Sequence, residues 1–261
     1  EPLSIHHFVI PPPFYGRRMA NGAIGTEPAC VVGAAPGVGV RLHIAGDDVL
    51  HQFGQYPEHV PFQKLQLLPV GKVAGNHALP QDGINKLIIE KAKEGKIVAR
   101  LKGGDPYIFG RGGEEAEELL DAGVPFEEVP GISSTIAGPA YAGIPLTHRS
   151  FSSSVTLITG HENPDKPGSV HNWKALAASA NTLVFVMGMK NLPDIARNLI
   201  EAGLSPDTPA ALVHWGTTAK HRSLAATLGT LHEEGVRQGF TNPSVIIVGK
   251  VVTLRDRLNW F

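Results

Sequence analysis

Short apolar runs that end in glycine-bearing turns recur along this chain, and that alternation leaves few folds open. CVV at 30–32 leads into GAAPG, LQLLPV at 65–70 into GKVAGNH, IVARL at 97–101 into KGGDPYIFGRGG, and FEEVP at 126–130 into GISS. Helical stretches separate them. After Pro80, a favourable first position, Ile84, Leu87 and Ile88 recur on one face, and 113–121 carries Glu114, Glu115, Glu117 and Glu118 near the positive end of its dipole. Strand, loop, helix, strand is the order of an α/β unit with a largely parallel sheet. A second series, VTLITG at 155–160, TLVFVMG at 182–188, PAALVHWG at 209–216 and PSVIIVGK at 243–250, alternates with helical stretches near 173–180, 191–202 and 230–238. IPLTHRSFSSS at 144–154 reads as the connection. The expected fold class is therefore α/β with two domains, 29–147 and 148–261, behind an irregular extension at 1–28 that carries a PPP run. Ligands of open α/β sheets gather at the carboxyl ends of strands, where these glycine turns fall, so a cleft between two such domains is the expected site.

Composition narrows the function. At 261 residues, 42% hydrophobic and 18% charged, the chain is long enough to bury the cores of two domains. A formal net charge of −1 offers no basic field to nucleic acid, so recognition of an anion has to rest on a local cluster. No apolar run approaches the roughly 20 residues that span a bilayer, and the first residues lack a signal-peptide core. A single cysteine, Cys30, excludes an intramolecular disulfide and a cysteine-rich zinc site, and fits a reducing cytoplasm. The twelve histidines show no HxH, HxxH or HxxxH spacing, so no metal is expected.

The loops hold the candidate chemistry. LKGGDPYIFGRGG at 101–113 has five glycines in thirteen positions and suits neither helix nor strand. Glycine gathers where a chain turns sharply or comes close to a ligand. Gly103 and Gly104, directly after a strand, can present main-chain N–H and C=O groups, while Asp105 either accepts from a ligand amine or hydroxyl or caps a turn. GAAPGVG at 33–39 also follows a strand, yet it is neither GxGxxG nor GxxxxGK[ST], so the dinucleotide and P-loop fingerprints are both absent. Lys72 sits just past a strand with His77 five residues on, either as a solvated charge or as a ligand contact. Arg111, His148 and Arg149 lie in or beside loops; as a set they suit carboxylate recognition, and singly each is a surface charge. Met187, at the end of TLVFVM, is either a core methionine or a contact to an apolar or sulfur-bearing ligand.

The stretches GKVAGNHALPQDGIN at 71–85, LKGGDPYIFGRGGEE at 101–115, PGISSTIAGPAYAGIPLTHRSFSSSVTLITGH at 130–161 and TLVFVMGM at 182–189 resemble the uroporphyrinogen-III C-methyltransferases of the tetrapyrrole methyltransferase family. The resemblance runs from residue 71 to the final LRDRLNWF, and GGDPxxFGRGGEE and AGIPLTHR are its most specific motifs. It implies two α/β domains with S-adenosyl-L-methionine in their cleft, and a homodimer. The reaction implied is two methyl transfers, to carbons 2 and 7 of uroporphyrinogen III, through precorrin-1 to precorrin-2, toward siroheme or cobalamin. S-adenosyl-L-homocysteine is the other product. Carried over position by position, the implied cofactor contacts are Pro36, Gly103, Gly104, Asp105, Ile108, Ser133, Ser134, Met187 and Gly216. His77, Arg111, His148 and Arg149 fall on the substrate side, and Lys72 matches the family's lysine.

Residues 29–58 depart from the family pattern. Val38 stands where an aspartate follows the GAAPG-like loop, Val73 replaces the usual arginine after Lys72, and Gln52 aligns with the family's proposed catalytic aspartate. Glutamine cannot serve as a carboxylate base. Two alternatives therefore stand beside the first reading: a methyltransferase of the same fold acting on a later precorrin, and a non-catalytic cofactor-binding homologue. Lys72 and Gln52 are the catalytic candidates. An unperturbed lysine, with a pKa of ~10.4, is a poor base at neutral pH, so Lys72 is expected to orient a substrate carboxylate.

Overall fold

The structure is a computed structural model that describes residues 5–10, 29–32, 66–68, 70, 79–161, 171–179 and 181–261. The chain divides into two compact units, Glu1–Gly131 and Ile132–Phe261.

The first unit holds a five-stranded sheet of β1 (Ile5–Ile10), β2 (Ala29–Val32), β3 (Gln66–Leu68), β4 (Ile97–Gly103) and β5 (Glu127–Glu128), in the order β3-β2-β4-β1-β5. β2 runs parallel to β3 and β4, and β1 is antiparallel to β4 and β5. Helix α1 (Gln81–Lys93) starts at Pro80, which holds the N-cap position in an extended conformation, and α2 (Gly112–Asp121) follows the glycine loop. Their apolar stripes meet the sheet: Ile84 and Ile88 of α1, Ala116 and Leu119 of α2, and Val98 of β4 form one buried cluster.

The second unit begins with α3 (Ser134–Tyr141) and continues through β6 (Val155–Thr159), α4 (Trp173–Ser179), β7 (Thr182–Val186), α5 (Leu192–Glu201) and β8 (Pro209–His214). β9 (Arg222–Thr227), α6 (Leu231–Arg237), β10 (Ser244–Val248) and α7 (Arg255–Leu258) complete it, and the strands lie in the order β6-β7-β10-β8-β9. Every residue of β7 and β10 is buried. Alternate side chains of these strands pack to opposite faces. Leu183, Phe185, Leu212 and Ile246 meet Ile195 and Leu199 of α5 and Leu231 of α6 on one face. Val184, Val213, Val245 and Ile247 meet Ala142, Ile144, Val251 and Val252 on the other.

Both units are α/β, as the alternation of elements requires, but among the described residues neither sheet is largely parallel. In the second sheet β6 and β7 form the parallel pair, whereas β10 is antiparallel to β7 and β8, and β8 to β9. A strand buried on both faces reads as a continuous apolar run whichever way its neighbours point, so strand direction does not show in the pattern. Ile5–Ile10 forms a strand within the stretch read as irregular, with β4 and β5 for neighbours. Residues 132–147, assigned from the sequence to the first domain, fall in the second unit, where Ala142 and Ile144 are buried against its sheet.

Candidate active site

β4 delivers the chain into the glycine loop. Gly104 takes φ 80°, a conformation that L side chains rarely adopt. Asp105 then folds back on the main chain. Its Oδ1 accepts hydrogen bonds from the amides of Tyr107 (2.9 Å) and Ile108 (3.0 Å), and its Oδ2 accepts one from Gly131 (3.0 Å). Of the two readings of Asp105, the observed geometry is the turn cap. The loop turns outward main chain and the side chains of Tyr107, Ile108 and Phe109, which are 50%, 40% and 42% exposed. The glycines do different work: a Cβ on Gly110 or Gly112 would lie 2.4 or 2.6 Å from the Pro106 carbonyl oxygen, whereas one on Gly103 would meet open space. Burial and the neighbouring Asp105 charge push the Glu128 carboxyl above the usual carboxylate range.

Arg111 closes the loop with φ 59° and an exposed guanidinium. Its Nε and Nη2 donate to Glu114 at 3.0 and 2.6 Å, which holds the Glu114 carboxyl below its ordinary pKa. Beneath the loop Lys102 and Arg100 converge on the buried Glu115. Neither Lys102 nor Arg100 is among the site residues expected from the sequence; the signal for them is a strand with charges at alternate positions, followed by an acidic helix start.

In the second unit, Ser133 is buried and N-caps α3. Its Oγ accepts from the Thr135 amide at 3.3 Å and the Thr135 hydroxyl at 2.9 Å, while Ser134 is exposed at the first helical position. Met187 follows β7 with φ 54° and is 54% exposed, which removes the core-methionine reading. Thr159 pairs with Val186 across the parallel strands, so the exposed His161 lies just past the carboxyl end of β6, beside the strand that Met187 follows. Gly216 lies between Trp215 (φ 46°) and Thr217 (φ 68°), and a Cβ on it would come 2.9 Å from the Gly138 Cα of α3. His148 accepts from the Ser150 amide at 3.1 Å through Nδ1 and packs its ring on Phe151, and Arg149 is exposed in the same turn.

Among the described residues, the non-glycine positions with positive φ are Phe109, Arg111, Met187, Trp215 and Thr217. All five fall in the glycine loop or just past the ends of β7 and β8. Such conformations cost about 1–3 kcal/mol each and persist where the surroundings over-determine them, typically at ligand sites. Thr217, being β-branched, is the most strained of them. Phe109, Trp215 and Thr217 were not candidates in the sequence reading, although WG after PAALVH repeats its pattern of a strand running into glycine.

Pro36, Gln52, Lys72 and His77 lie outside the described residues. Among those described, no group of three His, Cys, Asp or Glu side chains could hold a metal ion, and no helix is long and apolar enough to cross a membrane.

Residues 42–232 match the sequence profile of the Tetrapyrrole (Corrin/Porphyrin) Methylases. The Uroporphyrinogen-III C-methyltransferase of Bacillus subtilis (strain 168) is 45% identical over 240 residues, which cover 88% of this chain and 93% of that protein. Siroheme synthase 2 of Cronobacter sakazakii (strain ATCC BAA-894) is 53% identical over 193 residues, covering 74% of this chain but 41% of that longer protein. Among solved structures, the uroporphyrin-III C-methyl transferase of Thermus thermophilus complexed with S-adenyl homocysteine aligns with a TM-score of 0.57 at 34% identity, over 72% of this chain and 78% of that one. With a profile match across most of its length and a relative this similar over nearly its whole extent, the chain belongs to the tetrapyrrole (corrin/porphyrin) methylases.

Proposed function

We propose that this protein is a uroporphyrinogen-III C-methyltransferase, which methylates carbons 2 and 7 of uroporphyrinogen III to give precorrin-2 through precorrin-1. The observation that carries the reading is the set of left-handed residues at the glycine loop and past the ends of β7 and β8, the loops to which the family resemblance assigns the cofactor. S-adenosyl-L-methionine, when bound, supplies a methyl group on a sulfonium that departs as S-adenosyl-L-homocysteine. Its fit rests on what these loops offer. The main chain at Gly103 and Gly104 is free of side chains, Ile108 and Met187 are exposed apolar surface for an adenosyl or thioether group, and Ser134 is exposed at the start of α3. Pro36 and Gly216 complete the set, with Ser133 and Asp105 acting through the main chain that they hold.

The substrate's pyrrole carbons are electron-rich, so the protein's task is alignment, which contributes ~7–11 kcal/mol toward lowering such a barrier. Arg111, His148, Arg149 and His77 bind the acidic side chains of the tetrapyrrole. Arg111 is pre-oriented by Glu114, which suits a planar donor aimed at a carboxylate. Lys72 orients a further carboxylate, and Gln52 holds the position of the family's aspartate without its charge. The protein works as a cytoplasmic homodimer, a state that sedimentation equilibrium checks directly.

The test is the mass of the product formed from uroporphyrinogen III and S-adenosyl-L-methionine. A gain of two methyl groups is expected. Methylation of a later precorrin alone overturns the substrate assignment, and tight S-adenosyl-L-homocysteine binding with no transfer to any tetrapyrrole overturns the enzymatic one.

A further inference from the structure

We infer that the buried ion pair between Lys102 and Glu115 is a positioning clamp, which joins the two feet of the glycine loop and thereby sets the protein's affinity for S-adenosyl-L-methionine. The inference rests on the assignment of that loop to the cofactor and goes beyond it by naming residues that touch no ligand.

The clamp is placed at the two points where the loop leaves regular structure. Lys102 is the penultimate residue of β4, and Glu115 lies in the first turn of α2. The Lys102 ammonium donates to both carboxylate oxygens of Glu115 at 3.0 Å, with the side chains 6% and 1% exposed. Arg100 Nε adds a bond to Oε1 at 3.1 Å, and Gln81 Nε2, from the first turn of α1, adds another at 2.9 Å. One carboxylate thus ties β4, α1 and α2 together directly under the loop.

The sequence of β4 shows where this begins. Val98, Arg100 and Lys102 share one face of the strand. That face is apolar at Val98, which is fully buried against both helices, and becomes ionic only toward the loop. Packing alone would have been served as well by apolar side chains, because a buried ion pair seldom out-stabilises a well-packed hydrophobic substitute. What the pair adds is direction: two bonds to a planar carboxylate fix the strand end relative to the helix start in a way that interchangeable apolar contacts do not. The loop it spans requires such control. Gly104, Phe109 and Arg111 all have positive φ within eight residues, and the Asp105 carboxylate pins one side of the turn to Gly131.

Lys102 also allows a clean test. Two cations meet Glu115, so Lys102→Met leaves the carboxylate paired with Arg100 and the fold intact, whereas replacing Glu115 would strand both cations. The measurements are S-adenosyl-L-homocysteine affinity by titration calorimetry, hydrogen exchange of the 104–112 amides without ligand, and thermal unfolding, on the parent, Lys102→Met and Lys102→Arg. The expected result is a parent that binds, and a Lys102→Met protein that melts within a few degrees of it. That variant should exchange its loop amides at least tenfold faster and bind at least tenfold more weakly, with both properties largely recovered in Lys102→Arg. Unchanged loop exchange in Lys102→Met overturns the clamp. Faster exchange with unchanged affinity leaves the clamp's mechanics but refutes its link to the cofactor. Failure of the parent itself to bind S-adenosyl-L-homocysteine removes the underlying assignment of the loop.

Discussion

Asp105 and Gly131 are joined by a 3.0 Å hydrogen bond across 26 residues of sequence, from the carboxylate that shapes the glycine loop to the amide that precedes the second unit. The Tyr107 and Ile108 amides, being exposed, find water when Asp105 is lost, but the half-buried Gly131 amide has a poorer substitute. Asp105→Ala is expected to cost about 1.5–3 kcal/mol, the range for a bond to a charged acceptor. S-adenosyl-L-homocysteine affinity should fall at least tenfold, because the loop loses its shape. Thermal unfolding and calorimetry check the two effects, and Asp105→Asn, which keeps one acceptor oxygen, should fall between.

Gly216 and Gly138 belong to separate motifs, and their approach leaves no room for a side chain at Gly216. Gly216→Ala places a Cβ 2.9 Å from the Gly138 Cα, where the opposing backbone has to shift. The expected destabilisation is about 1–3 kcal/mol, as for overpacking in a core. A variant of unchanged melting temperature shows that α3 yields readily and that the glycine serves something other than packing.

Glu114 titrates below an ordinary carboxylate, first because the Arg111 guanidinium donates to it. A depressed folded-state pKa contributes stability above the unfolded value of 4.5, and that contribution is lost as pH falls through the folded value. The pair is half-exposed, so the energy involved is small, ~0–1 kcal/mol. Carbon-detected NMR of Glu114 should show its midpoint rise toward 4.5 in Arg111→Gln. If Arg111 also receives a substrate carboxylate, that variant should raise the KM for uroporphyrinogen III at least tenfold while leaving S-adenosyl-L-homocysteine affinity within twofold.

A second acidic titration lies away from the site. Glu94 caps α1 and is held down to about 2 by hydrogen bonds from Lys91 and then Lys96. Its contribution is present above 4.5 and disappears as pH falls toward about 2. Lys91→Met should move the Glu94 midpoint upward, and an unshifted NMR titration would show that the lysine does not hold the carboxylate in solution.

Much of this organisation is visible in the sequence, and the omissions have physical causes. β4, β6, β7, β8 and β10 are apolar runs that no solvated element would carry. β9 escaped because RSLAAT buries Leu224 and little else, and α3 because STIAGPAY holds a proline and a glycine inside eight helical residues. The strand at Ile5–Ile10, IHHFVI, is obscured by its two histidines and by the PPP run that follows it. In the site, the position of the glycine loop was legible but the division of labour within it was not. Composition cannot separate Gly104, which needs its positive φ, from Gly110, which needs the space beside Pro106. Nor can it say that Asp105 faces inward, since a capping and a ligand-binding aspartate are the same letter.

The order of strands in the second sheet determines how that unit is built in time. β10, the central strand, is the last of the five to be synthesised, and it supplies the hydrogen-bonded edge for both β7 and β8. Until Ser244–Val248 has emerged, β6-β7 and β8-β9 are two separate pairs, each with a largely apolar strand open on one side. Unpaired edges of that kind recruit other chains, and pairing that spans more than 60 residues is slow to form. A nascent chain stalled before residue 244 is therefore a candidate for chaperone capture, and a ribosome-bound chain should gain protease resistance in this unit in one step, once β10 clears the exit tunnel.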